Sequence, residues 1–380
     1  ARNDANTNTQ DNTRANFGIQ LNLDANLQNG FTFGSQINYL GTLGLEKSIV
    51  NNTMQNTQQA GVENNIADDI YLSKLYIAKQ LGNTTFKLGR QELPKSLSPF
   101  AFSEGWNVFK NTFDAIVAVN TDIPGTTLVG AYVAKSNHNG FGNNMSSFTD
   151  LNANVTGLGT LPVAGSAYML TVANKSIPMT AITASYYNVN QVDTGLIISP
   201  AGDTLNLNTE IFWGDVTLAS KDLPLGLKVG VQGGKILPEK AKNTNAYGAK
   251  IGLAPVKGLS VCAAYSFVDN GAVHVKNSGG VKTPLYTQLI ANQGAIQSDN
   301  TTYMLKAAYN AGDFGKIILQ GSKSEDHATQ RHLTDAELVY KIKAGGVNFL
   351  AAYIKQHWSK KNAGAVNGQD IVRVVARYNF

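Results

Sequence analysis

Charge is scarce in this chain: 15% of its 380 residues are Asp, Glu, Lys or Arg, against about 25% in soluble globular domains. Asn, Gln, Thr and Ser take its place, a balance that suits one face in lipid and another in water. Cysteine is nearly absent. The single Cys262 excludes an intramolecular disulfide and any cysteine-based zinc site, and reads as a small side chain in a strand. No apolar run approaches the roughly 18 residues of a membrane helix, so a membrane crossing would require a closed barrel, because lipid cannot satisfy open backbone donors. The net charge of +5 is spread along the chain and forms no basic block, which argues against nucleic acid as a partner. No leader is visible at Ala1, so the sequence is expected to start after processing or further downstream.

Alternation is what the chain has in abundance. Ala15, Phe17, Ile19, Leu21, Leu23 and Ala25 alternate with Arg14, Asn16, Gly18, Gln20, Asn22 and Asp24. Successive side chains of a strand point to opposite faces, so one face is wholly apolar and the other polar. The pattern recurs through Phe31–Tyr39, Leu227–Gln232, Tyr247–Leu253, Tyr303–Asn310 and Asp335–Lys343. One such strand fits a soluble sheet as well as a membrane barrel, and repetition favours the barrel.

The connections alternate too. Short ones fall near Leu27–Gly30, Gly82–Thr84, Thr121–Gly125, Lys175–Pro178, Lys221–Gly226, Val256–Gly258, Ala311–Gly315 and Gly345–Gly346, with long segments between them, chiefly Leu43–Asp69, Ser136–Val163 and Gly271–Asn300. Periplasmic turns and extracellular loops of an outer-membrane barrel produce this rhythm. The count is about 17 strands, and the even number usual in bacterial barrels raises it to about 18. The first strand would then be largely missing, with Ala1–Asn3 its remnant and a loop at Asp4–Asn12. Miscounting a weak strand such as Ile70–Gln80 would lower the total to about 16. The last residues, Val372 to Phe380, alternate and finish on Tyr378 and Phe380, an ending that resembles the C-terminal strand of bacterial outer-membrane proteins. The expected fold is therefore all-β, a single transmembrane antiparallel β-barrel over residues 1–380.

A second resemblance lies in Phe86–Lys135, which reads FKLGRQELPKSLSPF, a loop, then NTFDAIVAVNTDIPGTTLVGAYVAK. Lys87, Gly89, Arg90, Gln91, Asn111, Thr112, Phe113 and the turn Asp122–Gly125 match positions in the OprD-like specific porins and the Campylobacter-type major outer-membrane porins. The match covers about 50 residues, and the Asn-rich composition leans toward the Campylobacter type. The resemblance implies a homotrimer of 18-stranded channels in the cell outer membrane of a Gram-negative bacterium, touching lipid and LPS, through which small hydrophilic solutes and ions diffuse.

A porin performs no chemistry, so the candidate residues are those of a constriction and its field. Segment 92–110 is the presumed constriction loop: Pro94, Pro99, Phe100, Phe102 and Trp106 make it stiff and bulky, while Glu92, Lys95, Glu104 and Lys110 carry charge of both signs. Alternation points Arg14, Lys74, Lys87, Lys228, Lys250, Lys306, Lys341, Lys343, Arg373 and Arg377 inward, opposed by Asp24, Asp114, Glu210, Asp335 and Glu337. Charged ladders of this kind set pore selectivity. Arg90 falls on the apolar face by strict alternation, and a bulge after Gly89 would return it to the lumen. Of these, Lys87, Arg90, Arg373 and Arg377 are the candidates for the selective zone. A substrate-specific channel for small amino acids, peptides or carboxylates is the alternative to a general porin.

An enzyme would need a nucleophile with a base in reach, and the five histidines, at 138, 274, 327, 332 and 357, all sit in or beside presumed loops. His327 and His332 could meet around a metal, but such a pair on a loop is usually coincidence. Asp68 with Asp69, or Glu325 with Asp326, could hold Ca²⁺ through oxygen ligands; neither pair belongs to a dense acidic cluster, and no cofactor is expected.

Overall fold

The computed structural model describes residues 2–5, 12–13, 15–41, 69–140, 145–151, 165–197, 204–220, 222–359 and 368–380. Arg14, Asp68 and most of the loop expected at Asp4–Asn12 lie outside them. The chain forms 18 antiparallel wall strands. They are β1 (Arg2–Ala5), β2 (Phe17–Asn26, preceded by the paired residues Asn12–Thr13), β3 (Phe31–Gly41), β4 (Asp69–Leu81), β5 (Thr84–Gln91) and β6 (Phe113–Asn120). Then come β7 (Thr126–Ser136), β8 (Ala167–Asn174), β9 (Thr180–Ile197), β10 (Thr204–Ala219), β11 (Lys228–Pro238) and β12 (Thr244–Val256). The last six are β13 (Leu259–Val268), β14 (Asn300–Asn310), β15 (Lys316–Asp326), β16 (His332–Ala344), β17 (Val347–Trp358) and β18 (Gly368–Tyr378). The doubtful strand at Ile70–Gln80 is a full wall strand.

Each strand from β2 onward pairs with its sequence neighbour, so the sheet is a continuous up-and-down meander. β1 occupies the first-strand position. It pairs with β18 from Arg2↔Val372 to Ala5↔Gln369, and with the lead-in to β2 at Arg2↔Thr13. The stub bridges only the long-loop end, and the sheet does not close along its whole height.

The faces follow the alternation. Phe17, Ile19, Leu21 and Leu23 on β2, Leu305 on β14 and Val374 on β18 are all exposed, Leu305 at 69% and Val374 at 70%. So extensive an apolar surface cannot face water, and it reads as the lipid belt. Cross-strand aromatic pairs edge this belt toward the long-loop end: Tyr132 with Tyr168, Tyr247 with Phe267, and Tyr265 with Tyr303, ring centroids 5.0 to 5.3 Å apart. Tyr309, Phe314, Tyr340 and Tyr378 mark the other end. Aromatic girdles of this kind border a membrane-facing band. At the short-turn end Gly345 and Gly346 both adopt positive φ, 56° and 81°, the backbone of a two-residue hairpin that only glycine adopts freely.

The core lies inside the barrel rather than between sheets. The inward residues Phe113, Val133, Met169, Tyr187, Ile211, Trp213 and Ile236 of β6 to β11 form one cluster with Leu93, Phe100 and Ala101 of segment 92–112 and with Val273, Val275, Leu285 and Ile296 of segment 269–299. Two long connections thus fold into the lumen and bury apolar side chains against one half of the wall.

Candidate functional site

The loop 92–112 leaves β5 at Gln91 and re-enters the wall at Phe113. Both of its ends are clamped by Glu92, whose carboxylate pairs with Lys74 on β4 at 2.7 Å and Lys110 at 2.6 Å. Burial draws the Glu92 carboxyl upward, but hydrogen bonds and charge from Lys110 and Lys74 outweigh it and hold the group below its ordinary value of 4.5. A carboxyl with a depressed folded value stabilises the fold fully above its unfolded value, and that contribution is lost as pH falls through the folded value. The loop anchor should therefore weaken only in acid, below the ordinary carboxylate range. Glu92→Gln should remove this acid-sensitive component, read as a flattened pH dependence of thermal stability; a variant with the parent's acid response would contradict the clamp.

In the middle of the loop, Phe100 packs edge-on against Tyr187 and Trp213, at 5.7 and 5.3 Å between centroids. Further on, Trp106 lies against the inward patch of Ala308, Ile318, Val339 and Ala352, with the Arg373 guanidinium 4.4 Å from its ring. Val108 and Phe109 reach β3 and β4 at Leu40 and Tyr71, and Arg377 donates a 2.6 Å hydrogen bond to the Val108 carbonyl. The loop therefore crosses the lumen. Asn111 fixes its exit by donating to the carbonyls of Phe102 and Gly279 and accepting from the Glu104 amide.

Loop 269–299 joins it through Glu104. That carboxylate is 3% exposed and accepts 2.8 Å bonds from the amides of Val281 and Lys282 and from Asn277 Nδ2. Lys95 donates at 2.9 Å to the Thr283 carbonyl; burial, helped by the Lys282 cation, pushes it down to about 8. Burial also lowers Lys282, which donates to the carbonyls of Leu289 and Ile290. The far side of this loop is held by β16 and β17: Ile290 N–H donates to Glu337 at 2.7 Å and Gln356 donates to the Ala291 carbonyl at 3.0 Å. The two loops form one plug. Sequence reasoning overlooked the inward course of 269–299; its signal was the apolar set Val273, Val275, Leu285, Leu289 and Ile296, too greasy for a solvated loop.

The candidate residues separate into three groups. Glu92, Lys95, Glu104 and Lys110 lie in the plug. Lys87, Lys250, Arg373 and Arg377 sit on the inward face, Lys87 over the Tyr76 ring at 3.5 Å and Lys250 over Tyr286 at 3.8 Å. Tyr286 in turn donates to Asp215 on the wall. Arg90, Asp114 and Glu210 do not join them. The register runs unbroken through Leu75↔Arg90 and Arg90↔Asp114, so no bulge follows Gly89, and Arg90 stays on the face of Leu75 and Leu88. There it makes a bidentate pair with Asp114, 2.8 and 3.2 Å, and stacks on Phe148. The irregularity lies in the β6–β7 pair, between Asp114 and Ala115. Gly89 itself has φ of 120°, and a Cβ there would meet the Leu75 carbonyl oxygen at 2.3 Å. Glu210 faces outward beside Phe212 and accepts from Tyr186 at 2.6 Å. Its inward neighbours Ile211 and Trp213 are buried in the cluster formed with the plug, which reverses the polar-inside rule on β10.

With a hydrophobic plug against β6 to β11, exposed polar side chains gather on the rest of the inner wall: Gln20, Asn22 and Asp24 on β2, Lys316 on β15, Lys341 and Lys343 on β16, and Arg377 on β18. The outcome is a half-filled barrel whose hydrated side is mainly cationic.

No protein-family model and no curated protein matches this sequence. Solved structures do match it along its length. OccAB2 of Acinetobacter baumannii superposes with a TM-score of 0.75 at 13% identity, covering 99% of this chain and 95% of that one. OccAB3 of the same species gives 0.74 at 14%, with 98% and 95% covered, and OccK8 (OprE) of Pseudomonas aeruginosa gives 0.73 at 14%, with 99% and 94% covered. The chain has the fold of the OprD/Occ porins.

Proposed function

We propose that this chain is an outer-membrane channel of a Gram-negative bacterium, through which small hydrophilic solutes and ions diffuse passively with a preference for anions. The observation that carries the reading is the division of the lumen: the plug fills one half with apolar contacts, and the other half presents Lys74, Lys87, Lys316, Lys341, Lys343 and Arg377, with Arg373 buried against Trp106, facing Asp24 and Glu92. Cationic walls raise the local concentration of anions where screening is incomplete. On this reading the long loops face the outside and the short turns the periplasm, and the barrels assemble as a homotrimer that covers part of the exposed apolar belt. Diffusion of this kind calls for no cofactor.

A second reading, a channel specific for small amino acids, peptides or carboxylates, is favoured by the plug itself, because two interlocked loops narrow the lumen more than one would. The OprD-like assignment has the support of the fold; the lean toward the Campylobacter type rests on the Asn-rich composition and short last loops alone. Liposome swelling tests the proposal. Neutral sugars and carboxylates of equal size should both enter, the carboxylates faster; swelling with neither would remove the channel reading.

A further inference from the structure

Where loop 269–299 meets the wall, two carboxyls stand on successive inward positions of β16. Asp335 and Glu337 are each 1% exposed, so two bare anions there would repel with no water to screen them. Their cross-strand neighbours are neutral: Ser322 and Gln320 on β15, Gln356 and Ile354 on β17. Two cations face them, Lys282 from the loop and, toward Glu337, Lys306 from β14. Among the described residues neither cation forms an ion pair with them, and Lys282 Nζ turns to the carbonyls of Leu289 and Ile290.

The hydrogen bonds leave one oxygen over. Glu337 accepts from the Ile290 amide at 2.7 Å and, on its other oxygen, from Gln320 Nε2. Asp335 Oδ2 accepts from Gln356 Nε2 at 2.6 Å, and the same amide group donates to the Ala291 carbonyl. Asp335 Oδ1 is buried and has no donor, although the Glu337 carboxyl lies within hydrogen-bonding reach of Asp335. Two carboxylates only accept and cannot bond each other, whereas a carboxylic acid donates to a carboxylate. One proton on the pair therefore removes both the orphaned oxygen and the repulsion.

We propose that Asp335 and Glu337 hold one proton between them, and that this proton is the catch of the plug. With it, loop 269–299 is fastened to the wall at Ile290 and Ala291; without it, the loop lifts and the passage widens. The effect on passage rests on the channel reading, and the shared proton does not. The proton belongs to the pair rather than to either residue. A carboxyl that keeps its proton in the folded state above the range of a free carboxyl favours the fastened loop at low and neutral pH, and that contribution is lost as pH rises. Glu92 behaves in the opposite sense, since its clamp on loop 92–112 weakens in acid.

Two measurements on the purified barrel test this. Infrared spectra of the detergent-solubilised protein at neutral pH should show the carbonyl stretch of a protonated carboxyl, which disappears in alkali and is absent from Asp335→Asn. In a planar bilayer the parent's conductance should rise reversibly as the pH is raised above neutral. Asp335→Asn, whose Nδ2 can donate to Glu337 in the proton's place, should keep the parent's neutral-pH conductance and lose the alkaline rise. Glu337→Gln should lose it too, and serves if Asp335→Asn yields no heat-modifiable barrel. A missing infrared band, a parent without the alkaline rise, or variants that rise like the parent would overturn the catch. A barrel that never conducts contradicts the channel reading instead. The catch is then read from proteolysis of loop 269–299, which should quicken in alkali in the parent and not in Asp335→Asn; equal rates overturn it.

Discussion

Replacing Arg373 and Arg377 together by Glu should turn an anion-preferring channel into a cation-preferring one. Both side chains stand on the inward face of the closing strand, and both touch the loop that crosses the lumen, through Trp106 and the Val108 carbonyl. The double change moves four units of charge along one strand of the pore wall, counting two cations lost and two anions gained. Charges acting across a narrow, partly dehydrated space are screened less than charges at a rim, and substitutions on the luminal face tune selectivity. The reversal potential in a salt gradient should therefore change sign, while the double variant keeps its β-rich spectrum and heat-modifiable migration. A reversal potential equal to the parent's would place the selective zone elsewhere in the lumen.

Removing Glu104 should do the opposite: alter the plug and leave the wall intact. Its buried carboxylate is the acceptor for the part-buried backbone amides of Val281 and Lys282 and for the buried Asn277 Nδ2 of loop 269–299. Glu104→Ala leaves the Val281 and Lys282 amides without this acceptor, each costing about 1–3 kcal/mol, leaves Asn277 Nδ2 with only the Phe102 carbonyl, and removes an anion that acts on both Lys95 and Lys282. The expected result is a loosened plug, seen as a larger and noisier single-channel conductance at unchanged barrel yield. Glu104→Gln keeps the shape and an acceptor oxygen and should fall between the two. A conductance identical to the parent's in Glu104→Ala would mean that the two loops do not control the passage.

The wall was legible in the sequence because the membrane imposes a strict rule, apolar out and polar in, with a period of two. That rule placed Phe17 to Leu23 and Val372 to Tyr378 correctly, and led to the count of strands. It failed where a second force acts. On β6 and on β9 to β11 the inward face meets the plug, so Phe113, Tyr187, Ile211 and Trp213 are apolar inside and Glu210 is polar outside. Alternation read without the plug assigns Glu210 to the lumen. Arg90 and Asp114 mislead for another reason: at the upper ends of β5 and β6 a bidentate ion pair stacked on Phe148 satisfies both charges on the outer face. The motif residues Asn111, Thr112 and Phe113 were visible as a triplet, and their work is visible only in the fold, where Asn111 ties the loop's exit to Phe102 and Gly279. Contacts between residues more than 160 positions apart, such as Glu104 with Asn277, leave no local trace in a single sequence.

The measurement that bears most directly on the central claim is the current through the purified chain in a planar bilayer held in a salt gradient. The account predicts discrete conductance steps with a reversal potential on the anion-preferring side, set by the inward cations of β15, β16 and β18. Absence of steps from a folded, heat-modifiable barrel, or a reversal potential on the cation side, would contradict it.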